Sequence, residues 1–248
     1  MFRNFLGLVA AAATQAYAAD VLVLPPSAGT TGEEVAIVWI HGADCDPAGY
    51  TAFANEIQAT GAEAGQKIWV GLPKFLFDIP EPLLINGYVK DTLDEIRAAG
   101  FTGDQILIAG HSLGGVMTQD YAQSNLDFIK GQILMGSVLT RDKHTLNDDG
   151  STHWNYDVPT LTLGGTKDGL MRVTRLTEAY WHQIKNVESA QAGKFPIYAM
   201  EGTSHMSYMT GDAPRTVRKH DLQPDVEDAT AWATFAPQVV KFISNVVA

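Results

Sequence analysis

The chain has very little cysteine: Cys45 is the only one among its 248 residues, so an internal disulfide bond is excluded. A sequence of this length with 46% hydrophobic residues can enclose a large core without cross-links. We therefore expect a globular domain stabilised by its core, and we interpret Cys45 as a small buried residue. No histidine pairs with Cys45 on a recognisable nucleophile turn, which argues against a catalytic thiol.

Basic residues are also scarce. The 17 lysines and arginines are outnumbered by 28 aspartates and glutamates, and the formal net charge is −11. A surface of this sign repels phosphate groups, so nucleic acid and anionic membrane surfaces are disfavoured as partners. The composition instead favours neutral or cationic ligands.

Long apolar runs are absent beyond the N-terminus, and the run near the start is too short to span a bilayer. The segment MFRNFLGLVAAAATQAYAAD has a positive residue at Arg3, an apolar stretch at Phe5–Ala13 and a small-x-small pattern at Ala16–Ala18. This arrangement is typical of a secretory signal peptide. We predict a signal peptide over residues 1–18, a single domain over residues 19–248, and a secreted protein without a transmembrane anchor.

Cleavage of this signal is expected after Ala18, so that the secreted protein begins at or near Ala19. N-terminal sequencing of secreted material checks the expectation, and a chain that retains Met1 would contradict it. The alternative that the sequence leaves open is an N-terminal helix that stays attached to the domain.

Short apolar, β-branched runs alternate with helical patterns from residue 34 onward. Each run predicts a buried strand: Val35–Ile40, Lys67–Leu72, Gln105–Gly110, Gly131–Gly136, Pro159–Gly165 and Phe195–Met200. Helical patterns lie at about residues 49–62, 87–99, 113–123, 170–184 and 229–247. Strands separated by helices indicate crossovers, so we predict an α/β fold with a mostly parallel central sheet and helices on both faces. VLVLPP near Val21 predicts an additional edge strand.

Polar residues follow several of these predicted strands directly. His41-Gly42 comes after the first strand, Ser112 after the third, Asp168 after the fifth and His205 after the last. Because functional residues of a parallel sheet gather at the carboxyl ends of its strands, these residues are expected to meet at one edge.

Ser112 lies in the pattern Gly-x-Ser-x-Gly, formed by Gly110-His111-Ser112-Leu113-Gly114, with a predicted strand before it and a helix after it. This context is typical of a nucleophile turn, in which glycines at the flanking positions avoid collisions with the neighbouring strand and helix. The helix N-terminus behind the serine favours a developing oxyanion. The alternative is a glycine-rich turn in which Ser112 only caps the helix.

A serine nucleophile needs a base, and the base needs a carboxylate that orients it. His205, in MEGTSHMSY, is the best placed histidine because it lies in the loop after the last strand. Asp168, in LTLGGTKDGLM, follows the preceding strand, and the chain order serine, aspartate, histidine is that of the α/β hydrolases. Asp142 and Asp157 are the competing acids.

The remaining histidines have other expected roles. His41 is interpreted as a structural hydrogen-bonding residue that holds its loop, and His111 as a packing residue beside Ser112. The others are interpreted as solvated residues in loops or on a helix surface: His144, His153, His182 and His220.

Two backbone N–H groups are expected to bind the oxyanion of an acyl-transfer intermediate. Leu113 follows the nucleophile and supplies the first N–H. The loop VWIHGADCD follows the first strand, and Ala43 is its most favoured donor because Gly42 lets the chain turn there.

Four segments, IHGAD, GHSLGG, GGTKDG and GTSHM, together give the sequence a family resemblance. Over about residues 34–246 it resembles the α/β-hydrolase superfamily of serine hydrolases, and it is most similar to single-domain esterases of the dienelactone hydrolase and chlorophyllase-like kind. The resemblance implies a catalytic triad of Ser112, Asp168 and His205, hydrolysis of carboxylic esters through an acyl-enzyme, and no metal or organic cofactor. Dienelactone hydrolases carry cysteine where this chain has Ser112, so their substrate is not carried over.

The substrate is less defined by the sequence. Trp154, Met206 and Tyr208 lie in loops where they could line an apolar substrate pocket, although they could equally anchor those loops. A small-molecule or lipid-like ester is the expected substrate, with short or medium acyl groups favoured because no large lid segment is evident. An acyltransferase, a peptidase and a non-catalytic binding protein of the same fold stay open, and so does the oligomeric state.

Overall fold

The computed structural model of the protein describes residues 20–247, so the predicted signal peptide over residues 1–18 lies outside the described residues. Nine strands are present in this range: β1 (Val21–Leu24), β2 (Glu33–Ile40), β3 (Gln66–Pro73), β4 (Gln105–His111), β5 (Ile129–Met135), β6 (His144–Leu146), β7 (Thr152–Trp154), β8 (Thr160–Gly165) and β9 (Ile197–Met200). The α-helices of the same range are α1 (Thr51–Glu63), α2 (Pro82–Ala98), α3 (Leu113–Met117), α4 (Gln119–Gln123), α5 (Val173–Asn186), α6 (Arg215–His220) and α7 (Asp228–Val247).

A seven-stranded sheet forms the centre of the domain, in the order β1-β3-β2-β4-β5-β8-β9. All of its neighbouring strands run parallel except β1, which pairs antiparallel with β3 at one edge. The predicted α/β fold with a mostly parallel sheet is confirmed. The edge strand predicted near Val21 is present as β1.

Both faces of the sheet are covered, which explains why its strands are continuous apolar runs. Alternate residues of β2 enter different cores. One core contains Val35, Ile37 and Trp39 together with side chains of α1 and α7, such as Phe53 and Phe235. The opposite core contains Ala36, Val38 and Ile40 together with side chains of α2, such as Leu93 and Ile96.

Element boundaries differ from the sequence expectations in a few places. Helix α2 begins at Pro82 rather than near residue 87, because proline is well suited to the first turn of a helix. The helix expected over residues 113–123 is divided at Thr118, whose hydroxyl donates to the carbonyl of Gly115 and competes with the helical pattern.

The structure also contains elements that the sequence did not predict. Strands β6 and β7 form a separate two-stranded hairpin between β5 and β8, and the short helix α6 lies in the long segment after β9. The sequence patterns assigned no strand or helix to either segment. Within residues 20–247, no helix is both long enough and apolar enough to cross a membrane.

Candidate active site

Ser112 lies between the end of β4 and the start of α3, in a strained backbone conformation. Its φ of 51° and ψ of −121° fall outside the regions that non-glycine residues usually adopt. The Ser112 N–H donates to the carbonyl of Met135 over 2.9 Å, which fastens the turn to β5. Strands β4 and β5 therefore hold this strained turn in place, and the turn presents Ser112 at the carboxyl edge of the sheet.

The glycines around Ser112 are required by close backbone approaches. A Cβ at Gly110 would lie 2.5 Å from Cα of Gly115, at the start of the following helix. A Cβ at Gly114 would lie 2.4 Å from the carbonyl oxygen of Ile40, at the end of β2. The turn thus packs directly against the first turn of α3 and the loop after β2, as the Gly-x-Ser-x-Gly pattern predicts.

Ser112, His205 and Asp168 form one continuous hydrogen-bonded row. The Ser112 Oγ lies 2.8 Å from Nε2 of His205, and Nδ1 of His205 lies 2.9 Å from Oδ2 of Asp168. A carboxylate can only accept, so Nδ1 carries the imidazole proton and Nε2 is free to accept from the serine hydroxyl. The His205 and Asp168 side chains are 2% and 0% exposed, so water does not compete for this pair.

Asp168 is fixed in place by the backbone of its own turn. Its second oxygen, Oδ1, accepts from the N–H of Leu170 at 2.9 Å and from that of Met171 at 2.7 Å. Of the competing acids, Asp142 pairs with Lys143 at 3.0 Å, and Asp157 lies in the loop before β8. Among the described residues, Asp168 is the acid that contacts the imidazole of His205.

Asp221 is a half-buried link between the loops that carry Asp168 and His205, and sequence reasoning missed it. Its Oδ1 accepts from the N–H of Gly169 at 3.0 Å, and its Oδ2 accepts from the N–H of His205 at 3.0 Å. The residue follows α6 in a segment without any local pattern, so no sequence signal marks it. Its carboxylate holds the ends of the loops after β8 and β9 together.

Replacement of Asp221 by alanine is expected to lower kcat about 10-fold, because the loops of Asp168 and His205 lose their shared acceptor. The melting temperature should also fall, since partly buried N–H groups left without an acceptor are destabilising. Ester hydrolysis and thermal unfolding of purified protein measure both effects.

Asp225→Ala is the matched control, because Asp225 pairs with Lys167 on the surface at 2.9 Å, and exposed pairs of this kind contribute little. Equal activity losses in the Asp221 and Asp225 variants would contradict a specific role for Asp221.

The backbone donors expected for an oxyanion lie next to Ser112. Gly42 packs on the serine, since a Cβ at Gly42 would lie 3.3 Å from the Ser112 Cβ. The N–H of Gly42 donates to the Tyr50 hydroxyl, and the N–H of Asp44 donates to the carbonyl of Asp78. Ala43, between them, has no intramolecular partner for its N–H among the described residues.

Leu113 is the first residue of α3, a position where the N–H has no acceptor within the helix. A bound oxyanion could therefore accept from Leu113 and Ala43 without breaking an existing hydrogen bond.

His41 and Cys45 stabilise the loop that carries Ala43. Nδ1 of His41 donates to the carbonyl of Gly42 at 2.7 Å, and its Nε2 accepts from the N–H of Phe75 at 3.2 Å. Burial lowers the pKa of His41, so the ring stays neutral and keeps this pattern. Burial also raises the pKa of the Cys45 thiol to about 11, which makes it an unreactive packing residue.

Ser112 and His205 open into a cavity of about 410 Å³. Its wall is largely apolar, with a polar contribution from Thr140 and a cationic one from Arg175. The apolar side chains come from α3, the loop after β5 and the turn after β8: Leu113, Val116, Val138, Leu170 and Met171. Such a cavity suits a small apolar group attached to the atom that Ser112 attacks.

The aromatic and thioether residues considered for this pocket lie elsewhere. Trp154 donates to the carbonyl of Tyr156 at 2.7 Å and packs its ring edge-on against Phe195. Tyr208 is fully buried and donates to the carbonyl of Leu163, and Met206 packs against the core. The structure does not bring Trp154, Met206 and Tyr208 into the cavity of Ser112, because all three anchor loops.

His144 and His182 are buried rather than solvated, in contrast to the sequence expectation. Their side chains are 3% and 5% exposed, and their ring centroids are 4.4 Å apart. They line a second cavity of about 720 Å³ between α5 and the β6–β7 hairpin, which Ser112 does not reach.

Across residues 20–247, no group of three or more His, Cys, Asp or Glu side chains is placed to hold a metal ion.

Comparison with known proteins places the chain among hydrolases. The sequence model of the alpha/beta hydrolase family matches residues 36–208, a segment that includes Ser112, Asp168 and His205. No curated protein sequence matches the chain significantly.

Several solved structures share the fold. Est1E from Butyrivibrio proteoclasticus has a TM-score of 0.55 at 16% identity, with 90% of this chain and 94% of that chain covered. An S-formylglutathione hydrolase from Agrobacterium tumefaciens has a TM-score of 0.56 at 14% identity, with 92% and 90% covered. A monoglyceride lipase from Saccharomyces cerevisiae has a TM-score of 0.56 at 11% identity, with 92% of each chain covered. At identities this low, the TM-scores show a shared fold and nothing more specific.

Proposed function

Since the chain belongs to the alpha/beta hydrolase family, we propose that it is a serine esterase that cleaves carboxylic esters through an acyl-enzyme. The observation that supports this proposal best is the continuous hydrogen-bonded row from Ser112 through His205 to Asp168. A cap alone would need neither an imidazole beside the serine nor a buried carboxylate behind that imidazole.

Acylation follows from the positions of the protons. Nε2 of His205 takes the hydroxyl proton as the Ser112 Oγ bonds to the ester carbonyl carbon, and the carbonyl oxygen becomes an oxyanion beside the N–H groups of Ala43 and Leu113. Asp168 stabilises the imidazolium that forms. The intermediate then collapses, the ester C–O bond breaks, and the departing alkoxide takes the proton from His205 and leaves as an alcohol.

Deacylation repeats these steps with water. His205 removes a proton from a water molecule, the resulting hydroxide bonds to the acyl carbon, and the bond to Ser112 Oγ breaks as His205 returns its proton to the serine. The product is a carboxylic acid, and the enzyme returns to its starting state without a cofactor.

The cavity around Ser112 favours esters of short or medium acyl groups. Its volume of about 410 Å³ and its apolar wall suit a compact acyl or aryl group rather than several long chains. Secretion after removal of residues 1–18 is also part of the proposal, and it rests on the sequence pattern alone.

Narrowing this cavity is expected to shift the acyl preference towards shorter chains. In Val116→Trp, a large ring enters the wall, so kcat/KM for a nitrophenyl octanoate should fall about 10-fold or more relative to that for the acetate. A series of nitrophenyl esters of graded acyl length measures the shift.

Val173→Trp is the matched control, because Val173 is 38% exposed where Val116 is 40% exposed, yet it does not line the cavity. The same change in selectivity for both variants would contradict the assignment of this cavity to the acyl group.

A fluorophosphonate probe separates an esterase from a non-catalytic binding protein. Wild-type protein should be labelled on Ser112, whereas the Ser112→Ala variant should remain unlabelled. Absence of labelling in folded wild-type protein would overturn the proposal. Product analysis with an added alcohol then distinguishes hydrolysis from acyl transfer, and peptide substrates test the peptidase alternative.

A further inference from the structure

A buried chain of hydrogen bonds lies behind the candidate active site, and no step of the proposed reaction uses it. The N–H of Gly42 lies 3.0 Å from the Tyr50 hydroxyl oxygen, and that oxygen lies 2.7 Å from Nδ1 of His111. Nε2 of His111 lies 2.9 Å from the carbonyl oxygen of His205. Tyr50 and His111 are both 0% exposed, so water does not interrupt the chain.

Each proton in this chain has a defined position. The carbonyl of His205 can only accept, so Nε2 of His111 carries a proton and Nδ1 of the neutral ring accepts one. Tyr50 therefore donates its hydroxyl proton to His111 and accepts from the N–H of Gly42. Burial holds the pKa of His111 well below its usual value and that of Tyr50 well above, so both groups remain neutral.

The two ends of this series of hydrogen bonds belong to different parts of the candidate active site. Gly42 precedes Ala43, the donor proposed for the oxyanion, whereas His205 is the proposed base. The space between them is filled: a Cβ at Gly42 would lie 3.0 Å from Nδ1 of His111. The ring centroids of His111 and His205 are 4.9 Å apart. A shift at one end would therefore be transmitted to the other.

We propose that Tyr50 and His111 are positioning residues that hold the loop of Ala43 and the loop of His205 at a fixed separation around Ser112. The proposal rests on the serine esterase function proposed above. Neither side chain lines the cavity of Ser112, so both act through Gly42 and His205 rather than on the substrate.

Tyr156 provides a matched comparison. It is likewise a fully buried tyrosine, and its hydroxyl bonds with the carbonyl of Gln119 and the side chain of Gln132. Tyr156 belongs to the core on the α2 side of the sheet, and neither partner of its hydroxyl is hydrogen-bonded to Ser112 or His205. Removal of the Tyr156 hydroxyl therefore measures how much a buried tyrosine hydroxyl contributes to folding stability without an effect on the active site.

The test is Tyr50→Phe against Tyr156→Phe in the full chain, with steady-state ester hydrolysis as the readout. Tyr50→Phe is expected to lower kcat about 10- to 100-fold, the range that small misplacements of catalytic groups produce. KM should change less than about 2-fold because the cavity is untouched. Both variants should lose about 2–4 °C in melting temperature, whereas Tyr156→Phe should keep kcat within about 2-fold.

The ¹⁵N resonances of His111 provide a second readout that does not depend on activity. Wild-type protein should show His111 protonated on Nε2, and Tyr50→Phe should keep this proton because the carbonyl of His205 still accepts it. The Nδ1 resonance should instead shift, because Nδ1 no longer accepts the tyrosine hydroxyl proton. Equal kcat values for the two tyrosine variants, a loss confined to KM, or wild-type His111 protonated on Nδ1 would each overturn the positioning role. Wild-type protein that hydrolyses no ester would instead overturn the esterase proposal, and the positioning role with it.

Discussion

The Ser112→Ala variant is expected to lose at least about 10⁴-fold in kcat and to remain folded. Without Oγ, the acyl-enzyme of the proposed reaction cannot form, and only binding and oxyanion stabilisation remain. The loss of folding stability should be small, because the Ser112 side chain makes no capping hydrogen bond to α3. Steady-state hydrolysis, acyl-enzyme burst kinetics and thermal unfolding measure these effects.

The control for this variant is Ser244→Ala. It removes a serine hydroxyl on α7, away from the site, that accepts from the side-chain amide of Gln66. His205→Ala should be nearly as inactive as Ser112→Ala, and the double variant little worse than either, because nucleophile and base act as one unit. Comparable turnover by Ser112→Ala and wild type would mean that the serine is only part of a turn.

Replacement of Asp168 by asparagine is expected to lower kcat by about 10⁴-fold with little change in structure. The amide oxygen can still accept from Leu170 and Met171, which leaves the NH₂ group towards His205. Nδ1 of His205 must then accept, so the proton moves to Nε2, where it prevents the imidazole from taking the Ser112 proton. Steady-state hydrolysis of a short-chain ester measures the loss.

Asp142→Asn and Asp157→Asn should keep near wild-type activity, since neither carboxylate contacts His205. Similar losses in all of these variants would contradict the assignment of Asp168 as the orienting acid.

The parts of the structure that the sequence predicted are those with local causes. Strands such as β2 and β4 are continuous apolar runs because both faces of the sheet are buried. Ser112 and His205 could be found because each follows a strand that ends at the same edge of the sheet. Gly110 and Gly114 mark the turn because the chain passes too close there for side chains.

The parts that the sequence did not predict depend on contacts between distant segments. Asp221 contacts His205 only because the segment after α6 folds back onto the loops of β8 and β9. Tyr50 and His111 are far apart in sequence, so nothing in the sequence shows that their side chains meet. The cavity wall was missed for a related reason: apolar residues of α3 and of the turn after β8 are indistinguishable in sequence from core residues.

The position of His205, the proposed base, after an edge strand has a consequence for how activity would be lost on heating. Ser112 follows β4, which has neighbours on both sides, whereas His205 follows β9, a short strand at the sheet edge whose residues are mostly half-buried. Edge elements with few buried contacts open at lower free energy than the core. Local opening of β9 would move the imidazole of His205 away from Ser112, while Ser112 itself stays in place. We therefore expect activity to be lost on heating before the core melts, because the four-residue strand β9 separates from the sheet more readily than β4 does.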